Sequence, residues 1–516
     1  MLCAMHLLST AFQPIPLLLL APPDSEFFAF LHEAYALIER VPSILTAIDA
    51  DLDLHGQRKK ALRLRDAQWW EARSLGLPTI GLEPSVGAPE TLRLRIGRPR
   101  TSALVVYLFL VGRGYLGGYK SGEATNLMLE SVTLHVFLAN HGFARPAAST
   151  LTELVNAVSV ATRTRILDAQ IAAVLAEDWD DFTMFLQDST AVEGNTLWPT
   201  ESRLMVDLVA RLWRRGGRLD AIGLPCLDAP HVARLLDAMA ALDREISLAA
   251  DGMERARKRR HRYTKLLRKA RQAAALLEPA IHRIAQTLGT LDVPPSERLR
   301  AARVVTWLQT DLASLRKVIA SCEARIVHGE KVAIGDKVLS VSDPDVGFIA
   351  KGGRDPVVGY KPQLARSGAG FVTGLLVPQG NASDARQLVP MFDAVVARTG
   401  VVPSTASVDD GYSSRRGRAT LKKRGVSVVS ISGSKGKHIT PPEDWDSVAY
   451  AVARDDRSAV ESLMFTIKHG FDFGRVARRG LANVEAELLE KVLAYNFCRM
   501  ATCRRAGQPA DEDLAA

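Results

Sequence analysis

The sequence has few cysteines, no long apolar run and no strong excess of charge of one sign. Its five cysteines are an odd number, and no pair has the spacing of a zinc knuckle, so a reduced, cytoplasmic compartment is the simplest interpretation. The apolar residues 17–20 lie between prolines, far short of the ~20 residues that a membrane span needs. No basic region precedes them, so we expect neither a signal peptide nor a membrane partner.

The charge balance is basic but modest. Lys and Arg number 66 against 57 Asp and Glu, and the isoelectric point is about 9.3. This balance favours a polyanionic partner without requiring one. A chain of 516 residues is too long for one ordinary core, so we expect two to four domains.

Apolar patterning divides the chain into five segments. It predicts an all-α N-terminal domain over 1–175 and the first part of an α/β core over 176–199. An all-α insert follows over 200–332, then the remainder of the core over 333–500 and a tail over 501–516. The core would be a mixed sheet flanked by helices.

The predicted core begins with a strand at Phe182–Leu186 and resumes after the insert. The order strand, hairpin, helix, strand, helix, strand, helix is typical of an RNase H-like core. The later elements are predicted at Val357–Arg366, Phe371–Val377, 384–398, 404–408, 414–424 and Val426–Ser432, before a last long helix that carries Glu461.

Acidic residues stand at a strand end and on that last helix. Asp409 follows a buried strand, and Glu461 lies 52 positions later. Cleaving and joining phosphodiesters uses metal ions about 3.5–4 Å apart, and Mg²⁺ prefers carboxylate oxygens. Arg457, Glu461 and Lys468 share one helix face, which would offer a carboxylate to metal and cations to phosphate. The alternative is an ordinary solvated Arg–Glu pair.

Several motifs resemble the DDE transposases of bacterial insertion sequences. They are Ser342-Asp343-Pro344-Asp345, Gly359-Tyr360-Lys361-Pro362-Gln363, Gly380-Asn381-Ala382-Ser383-Asp384 and Asp409-Asp410-Gly411-Tyr412. The spacing Arg457-x3-Glu461-x6-Lys468 is similar to the third-acid motif of that group, with Arg454 where a Tyr is usual. The resemblance covers roughly residues 180–500.

The first acid has two candidates. Asp188-Ser189-Thr190 follows an apolar strand and resembles the first-strand motif of these enzymes, 221 positions before Asp409. The rival is Asp343 or Asp345; Asp343 lies 66 positions before Asp409 and leaves no insert inside the core. We favour Asp188. An Asp-Pro turn is the structural explanation for the rival pair.

The resemblance implies Asp188, Asp409 and Glu461 as metal ligands for Mg²⁺ (or Mn²⁺), with Arg457 and Lys468 on phosphates. It implies double-stranded DNA as partner, both terminal inverted repeats and target, with residues 1–175 as the DNA-binding domain. It also implies a homodimer in the synaptic complex. It also implies a cytoplasmic, nucleoid-associated protein.

A basic run in the insert offers a DNA contact. Residues 255–271 carry ten Lys and Arg among 17 positions. These positive side chains repel one another unless phosphates neutralise them. A solvated helix face is the ordinary explanation. We predict DNA contacts at Arg257, Lys258, Arg259 and Arg260, and at Lys361 of the core.

The sequence therefore predicts a DDE transposase that cleaves DNA at insertion-sequence ends and joins the 3′ hydroxyls to target DNA. One alternative is a metal-dependent nuclease of the same fold that cuts without joining. The other is a non-catalytic DNA-binding descendant of a transposase. Metal-dependent cleavage and strand transfer separate the three.

Overall fold

The computed structural model describes most of the chain. The described residues are 26–79, 101–117, 121–140, 146–220, 229–248, 253–350 and 355–507. The apolar N-terminus and most of the predicted tail therefore lie outside them. No helix among the described residues has the length and apolar character needed to cross a membrane.

Helices make up most of the described chain. In chain order they are α1 Glu26–Arg40, α2 Ser43–Ser74, α3 Ala103–Tyr115, α4 Ser121–Glu130, α5 Val132–Asn140, α6 Ala148–Ala157, α7 Val160–Ala176, α8 Glu201–Asp220, α9 Ala229–Ser247, α10 Met253–Thr287, α11 Pro295–Cys322, α12 Asp384–Thr399, α13 Arg415–Lys423, α14 Gly433–Ile439, α15 Pro442–Trp445, α16 Val448–Asp455, α17 Ser458–Gly470 and α18 Leu481–Gly507.

The strands form two sheets. They are β1 Met184–Ser189, β2 Val192–Glu193, β3 Gly347–Ile349, β4 Val357–Tyr360, β5 Gln363–Arg366, β6 Val372–Leu376, β7 Thr405–Val408 and β8 Val428–Ile431. The larger sheet has the order β6-β5-β1-β7-β8, and the smaller has the order β2-β4-β3. In the larger sheet β1, β7 and β8 are parallel, while β5 is antiparallel to both β1 and β6.

Contacts between Cα atoms divide the chain into two units. The sheet unit comprises residues 1–55, 97–195 and 345–516, and the helical unit comprises residues 56–96 and 196–344. The predicted functional boundaries between domains stay predictions.

The larger sheet has a buried core on the face covered by α12 and α13. Phe185 of β1, Ala406 of β7 and Ile431 of β8 pack there with Phe392 and Leu421 of the two helices. The strands are buried along nearly their whole length, as expected for a central parallel arrangement. At the edge of the sheet, Asn496 of α18 pairs with both the N–H and the carbonyl of Val372. The sheet thus forms a rigid support for the side chains at the ends of its strands.

The helical unit has a separate apolar core built by α8–α11. The face of α8 shows the helical period, with Leu204, Leu208 and Leu212 buried. They pack with apolar residues of the other three helices, among them Met239 and Leu308. Amphipathic burial, rather than helix propensity alone, therefore accounts for these long helices.

The prediction of a mixed sheet within a largely helical chain is confirmed, but three details are wrong. The first strand begins two residues and ends three residues later than predicted, so Asp188 lies inside β1. The predicted strand Val357–Arg366 is interrupted at Pro362, which has no backbone N–H to donate, and its halves belong to different sheets. Glu461 lies on the short α17, and a separate, longer α18 follows.

Candidate active site

Two aspartates stand side by side at the ends of neighbouring parallel strands. Gln187 of β1 is paired with Val408 of β7, so the next residue of each strand, Asp188 and Asp409, lies at the same level. Adjacent strands are separated by about 4.8 Å. Carboxylates presented at this spacing are within reach of one cation between them.

The structure brings all five predicted catalytic residues to one cavity. Its volume is about 800 Å³. Asp188, Asp409, Arg457, Glu461 and Lys468 are all among the residues that line it. Two further carboxylates, Asp355 and Asp410, also line this cavity, which we call the acidic cavity. The roles of the five residues stay predictions, because shared position alone does not establish chemistry.

Local hydrogen bonds fix the two strand-end carboxylates. Oδ1 of Asp188 accepts from the backbone N–H of Ser189 at 2.7 Å, and Oδ1 of Asp409 accepts from Gly411 at 2.9 Å. A Cβ on Gly411 would lie 3.0 Å from Oδ1 of Asp409 and 3.1 Å from Oδ2 of Asp384. A side chain at 411 would therefore crowd both carboxylates, which would have to shift by a few tenths of an ångström.

The second member of the acid pair has a structural task. Oδ1 of Asp410 accepts from the backbone N–H of Gly436 at 2.9 Å and from Oγ of Ser413 at 3.3 Å. These bonds tie the turn after β7 to α14. Oδ1 of Asp409, by contrast, accepts from a backbone N–H of its own turn.

Glu461 is held differently from the two aspartates. It lies in the first turn of α17, and its side chain is 57% exposed. Nη2 of Arg457, the residue just before the helix, donates to Oε1 of Glu461 at 2.6 Å. Nζ of Lys468 lies 3.4 Å from the carbonyl oxygen of Ala191, at the long limit of a hydrogen bond. The ion pair expected of an ordinary helix face is thus present, at the rim of the acidic cavity.

Three of the motifs that carry the resemblance meet in a buried polar network. Nζ of Lys361 donates to Oδ2 of Asp384 at 2.8 Å, and Nε2 of Gln363 donates to Oδ1 of Asp384 at 2.8 Å. The hydroxyl of Tyr412 donates to Oε1 of Gln363, which also accepts from Gln187 at 3.1 Å. The network joins β1, β5, α12 and the turn after β7, so it braces both strand-end acids. Sequence reasoning noted each motif but not that they touch.

The pKa of Tyr412 is affected by the acids near the cavity. Burial raises the pKa of its phenol well above the usual value, and the nearby carboxylates of Asp384, Asp188 and Asp409 raise that pKa further. Tyr412 therefore remains protonated and acts as a hydrogen-bond donor at any physiological pH. Three acids close enough to act on one phenol also mark this end of the sheet as strongly negative.

Lys361 and the rival acids occupy other settings. Lys361 is 9% exposed, and its ammonium is engaged by Asp384, so this geometry does not offer it to a DNA phosphate. Its predicted DNA contact stays a prediction.

Asp345 accepts from the backbone N–H of Leu481 at 2.9 Å and so caps α18. Asp343 is buried and belongs to the helical unit. Neither Asp343 nor Asp345 lines the acidic cavity.

The acidic cavity fits a divalent cation in part. Its donors are carboxylate oxygens, the ligands that Mg²⁺ and Mn²⁺ prefer, and Asp188 and Asp409 come from adjacent strands. Among the described residues, however, no three His, Cys, Asp or Glu side chains lie close enough together to hold a metal ion. In this structure the Glu461 carboxylate is paired with Arg457.

The predicted DNA contacts of the insert lie on one exposed stretch of α10. Arg257, Lys258, Arg259 and Arg260 are all exposed. Arg260 donates to the carbonyl oxygen of Val327 at 2.5 Å, and the guanidinium of Arg259 lies 5.9 Å from the centre of the Tyr263 ring. These side chains are presented to solvent within the helical unit, and their contact with DNA stays a prediction.

Comparison with known families gives one match. Residues 335–497, about a third of the chain, match the family model described as the transposase DDE domain. This match supports a DDE-type transposase, a class of DNA-cleaving enzymes that generally depend on divalent metal. The matched region contains Asp409 and Glu461 but begins after Asp188, so it does not choose between the candidate first acids. Searches of curated proteins and of solved structures gave no match.

Proposed function

We propose that this protein is an insertion-sequence transposase that cleaves DNA at the element ends and joins the 3′ hydroxyls to target DNA. The observation that carries the proposal is the neighbouring position of Asp188 and Asp409, each directly after one member of the last residue pair between β1 and β7. Glu461 lines the same cavity. The family match over residues 335–497 supports the same chemistry from the sequence.

The topology of the larger sheet supports an RNase H-like core. Its central strand β1 is antiparallel to a hairpin on one side and parallel to β7 and β8 on the other. That order places the ends of β1 and β7 together although they are more than 200 residues apart in sequence. The helical residues between β2 and β3 then constitute the proposed insert.

The proposed reaction is in-line substitution at phosphorus, carried out twice. In cleavage, a water oxygen attacks the phosphodiester at the element end and the bond to the 3′ oxygen breaks, which leaves a 3′ hydroxyl. In joining, that hydroxyl attacks a target phosphodiester and displaces another 3′ oxygen. No covalent bond to the protein is needed.

In this proposal Asp188, Asp409 and Glu461 would hold Mg²⁺, which would activate the attacking oxygen and stabilise the leaving oxygen. The two aspartates are pre-organised by the sheet and by the network under it. Glu461, which accepts from Arg457 in this structure, would complete the set, and Arg457 would contact a DNA phosphate. Lys468 steadies a second phosphate oxygen at the rim of the cavity.

The remaining parts of the proposal concern DNA binding. The exposed cations of α10 contact the DNA backbone, and a helical N-terminal domain recognises the terminal repeats. Two element ends must be held at once, so a homodimer is expected in the synaptic complex. Such a protein acts in the cytoplasm on nucleoid DNA.

The test uses the full-length protein and DNA that flanks its coding region. The flanks are first searched for inverted repeats, and a duplex that carries one repeat is incubated with protein and MgCl₂. The expected products are a 3′ hydroxyl at the repeat end and, with pre-cleaved ends, a product joined to target plasmid. Asp409→Asn is expected to give neither product while it still binds the repeat.

Other outcomes favour other functions. Metal-dependent cleavage without any joined product from pre-cleaved ends would identify a nuclease. Repeat binding without cleavage by the wild-type protein, in either Mg²⁺ or Mn²⁺, would identify a DNA-binding descendant and overturn the proposal.

A further inference from the structure

The charge of the acidic cavity opposes the approach of a DNA strand. Five carboxylates line it, against one arginine and one lysine. A phosphodiester backbone is a polyanion, and like charges brought together in this way repel one another. Positive side chains around the cavity, outside its lining, would reduce that repulsion.

Two helices begin at the edge of the larger sheet that carries this cavity. α13 follows β7 and α14 follows β8, and these strands are parallel neighbours, so both helices begin on the side of Asp409. The side chain of Asp410, which lines the cavity, contacts the segment before α13 and α14 itself. Its Oδ1 accepts from Oγ of Ser413 at 3.3 Å and from the backbone N–H of Gly436 at 2.9 Å. One carboxylate of the cavity therefore holds both helix starts beside it.

Two glycines allow α14 to pack closely against this turn. Gly433 has a φ of +91°, and a Cβ there would lie 2.6 Å from the side chain of Asp410. A Cβ at Gly436 would lie 2.0 Å from the carbonyl oxygen of Ile431. Neither approach is possible for a larger residue without a shift of the backbone. The side chains of α14 are therefore carried on a closely packed helix next to the cavity.

Four cations at these helix starts are exposed to solvent. They are Arg415 and Arg416 of α13 and Lys435 and Lys437 of α14, which we call the basic edge. Within the described part of the chain, none of the four forms an ion pair with a carboxylate. Lys437 has one recorded contact, with its ammonium 5.9 Å from the centre of the Trp445 ring. The basic edge therefore carries positive charge that the fold leaves uncompensated.

The rest of α13 differs from its start in this respect. Arg418 pairs with Asp444, and Arg424, directly after the helix, pairs with Asp393. The two arginines at the start also occupy the first turn, where the partial positive charge of the helix disfavours a cation. A local rule that is broken without compensation in the fold is expected at a functional position.

We infer that the basic edge binds the backbone of duplex DNA next to the phosphodiester that enters the acidic cavity. The inference rests on the proposed function for its choice of DNA as the polyanion. Charge complementarity and the position of both helices beside Asp410 support it. Lysine and arginine neutralise phosphates without reading bases, so the contact is independent of DNA sequence.

The first experiment measures the affinity of the full-length protein for a duplex of unrelated sequence against salt concentration, in EDTA so that no cleavage occurs. Each lost phosphate contact flattens the slope of log affinity against log salt by about 0.9. Arg415→Gln combined with Arg416→Gln is expected to flatten the slope by about 1.8, as is Lys435→Gln combined with Lys437→Gln. Unchanged slopes in both double variants would overturn the inference.

Two further double variants serve as controls. Lys423→Gln with Arg424→Gln removes two exposed cations from the other end of α13 and is expected to keep the wild-type slope. Arg415→Lys with Arg416→Lys keeps the charge and is also expected to keep that slope. Thermal unfolding midpoints are expected to change little, since the substituted side chains are exposed. Equal flattening in the Lys423 and Arg424 variant would indicate a general charge effect and overturn the inference.

The second experiment tests the position of the contact. Uncharged methylphosphonates replace the phosphates on either side of the reacting phosphodiester in a duplex that ends in the terminal repeat. They are expected to weaken binding of the wild type more than binding of the variant with Arg415→Gln and Arg416→Gln. Equal weakening of both proteins would overturn the assignment of these arginines to phosphates beside the cavity.

Failure of the proposed function is seen separately. A wild-type protein that cleaves no DNA, yet shows the slope changes above, keeps the basic edge as a DNA-binding surface and loses the transposase proposal. A protein that cleaves and joins DNA while both double variants keep the wild-type slope loses only the inference.

Discussion

The sheet unit contains two clusters of charged side chains, one with an excess of carboxylates and the other with an excess of guanidiniums. In the acidic cavity, Asp188 and Asp409 stand together at the end of two strands, and the carboxylates there outnumber the two cations in the lining. Around Glu490 the proportions are reversed, since one carboxylate is surrounded by three guanidiniums and is 2% exposed. One cluster is accessible and carries excess negative charge; the other is buried and cross-linked by ion pairs.

The difference indicates that the first cluster is suited to catalysis and the second to stabilising the fold. Like charges held together by strands tend to destabilise the fold unless a cation or another partner is gained. Glu490, which accepts from Arg113, Arg163 and Arg478, joins α3, α7, the residues before α18 and α18 itself. Neutralising an acid is therefore expected to have opposite consequences in the two places.

The largest expected effect is on activity in the acidic cavity. Asp188→Asn and Asp409→Asn are each expected to reduce DNA cleavage by about a thousandfold or more, because each removes a charge that the reaction uses. Their unfolding free energies are expected to be unchanged or slightly higher, since repulsion between neighbouring acids is relieved. Cleavage rate and urea denaturation measure the two quantities.

Asp343→Asn is the control for the choice of first acid. It is expected to cleave at a rate within a fewfold of wild type. Normal cleavage by Asp188→Asn together with loss of cleavage by Asp343→Asn would assign the first acid to Asp343 instead. Glu461→Gln is expected to follow the two aspartate variants if its carboxylate serves the same cation.

The next largest effect is on stability. Glu490→Gln leaves three buried guanidiniums without their shared counter-charge and is expected to lower the unfolding free energy by about 3–5 kcal/mol. The matched control is Glu193→Gln, which breaks an exposed ion pair with Arg475 whose side chains are 52% and 66% exposed. That control is expected to cost at most about 1 kcal/mol. Equal losses in the two variants would remove the distinction between buried and exposed pairs.

The stabilisation by Glu490 also depends on pH. Its pKa is lowered by the three arginines in the folded state, so its contribution is complete above the unfolded value of about 4.3. The contribution declines as pH falls below that value toward the folded pKa. The difference in unfolding free energy between wild type and Glu490→Gln is therefore expected to shrink on acidification from pH 6 to pH 3. A difference that grows over that range would contradict the assigned ion pairs.

A smaller effect is expected for the cations at the rim of the acidic cavity. Arg457→Ala and Lys468→Ala are each expected to slow cleavage by about 10- to 100-fold, with repeat binding changed less than threefold. Arg424→Ala is a matched control, since Arg424 forms an exposed pair with Asp393 and does not line the cavity. Similar slowing in all three variants would indicate a general charge effect rather than a role at phosphate.

The smallest effect concerns the basic run of the helical unit, in which Arg262 pairs with Glu245 and Arg271 pairs with Glu323. Replacing Arg257, Lys258, Arg259 and Arg260 by Gln is expected to flatten the salt slope of duplex affinity by up to about 3–4 units, at about 0.9 per phosphate contact. Preference for the repeat over unrelated duplex is expected to change little. An unchanged slope would assign these residues to a solvated helix face.

Much of the sheet was predictable because its strands are apolar and separated by turn residues. The hairpin β5–β6, the helix α12 and the alternation from β7 to β8 follow that pattern, with bounds shifted by one or two residues. The break at Pro362 was visible in the sequence, since proline rarely continues a central strand. The two-residue β2 and the three-residue β3 were missed because such short strands carry no period.

The candidate site was predictable where it follows strand ends and not where it depends on long-range contact. Asp188 and Asp409 were found because polar residues after apolar strands are presented at a sheet edge. The network of Lys361, Asp384 and Tyr412 was not found, because nothing in one sequence says that three separate turns converge. The arginines around Glu490 were missed for the same reason, since they are spread from residue 113 to residue 478.

The position of β1 at the centre of the larger sheet has a consequence for how the chain is made. Its hydrogen-bonding neighbours are β5 and β7, so β1 has no strand partner in this sheet until residue 363 has been synthesised. At roughly 5–20 residues per second, the 174 positions from Ser189 to Gln363 take about 9 to 35 s. During that interval the helices α8–α11 are synthesised, and β1 has no neighbouring strand of its sheet. The two aspartates therefore meet only after Asp409 has been synthesised, and a chain that ends before residue 409 lacks half of this pair.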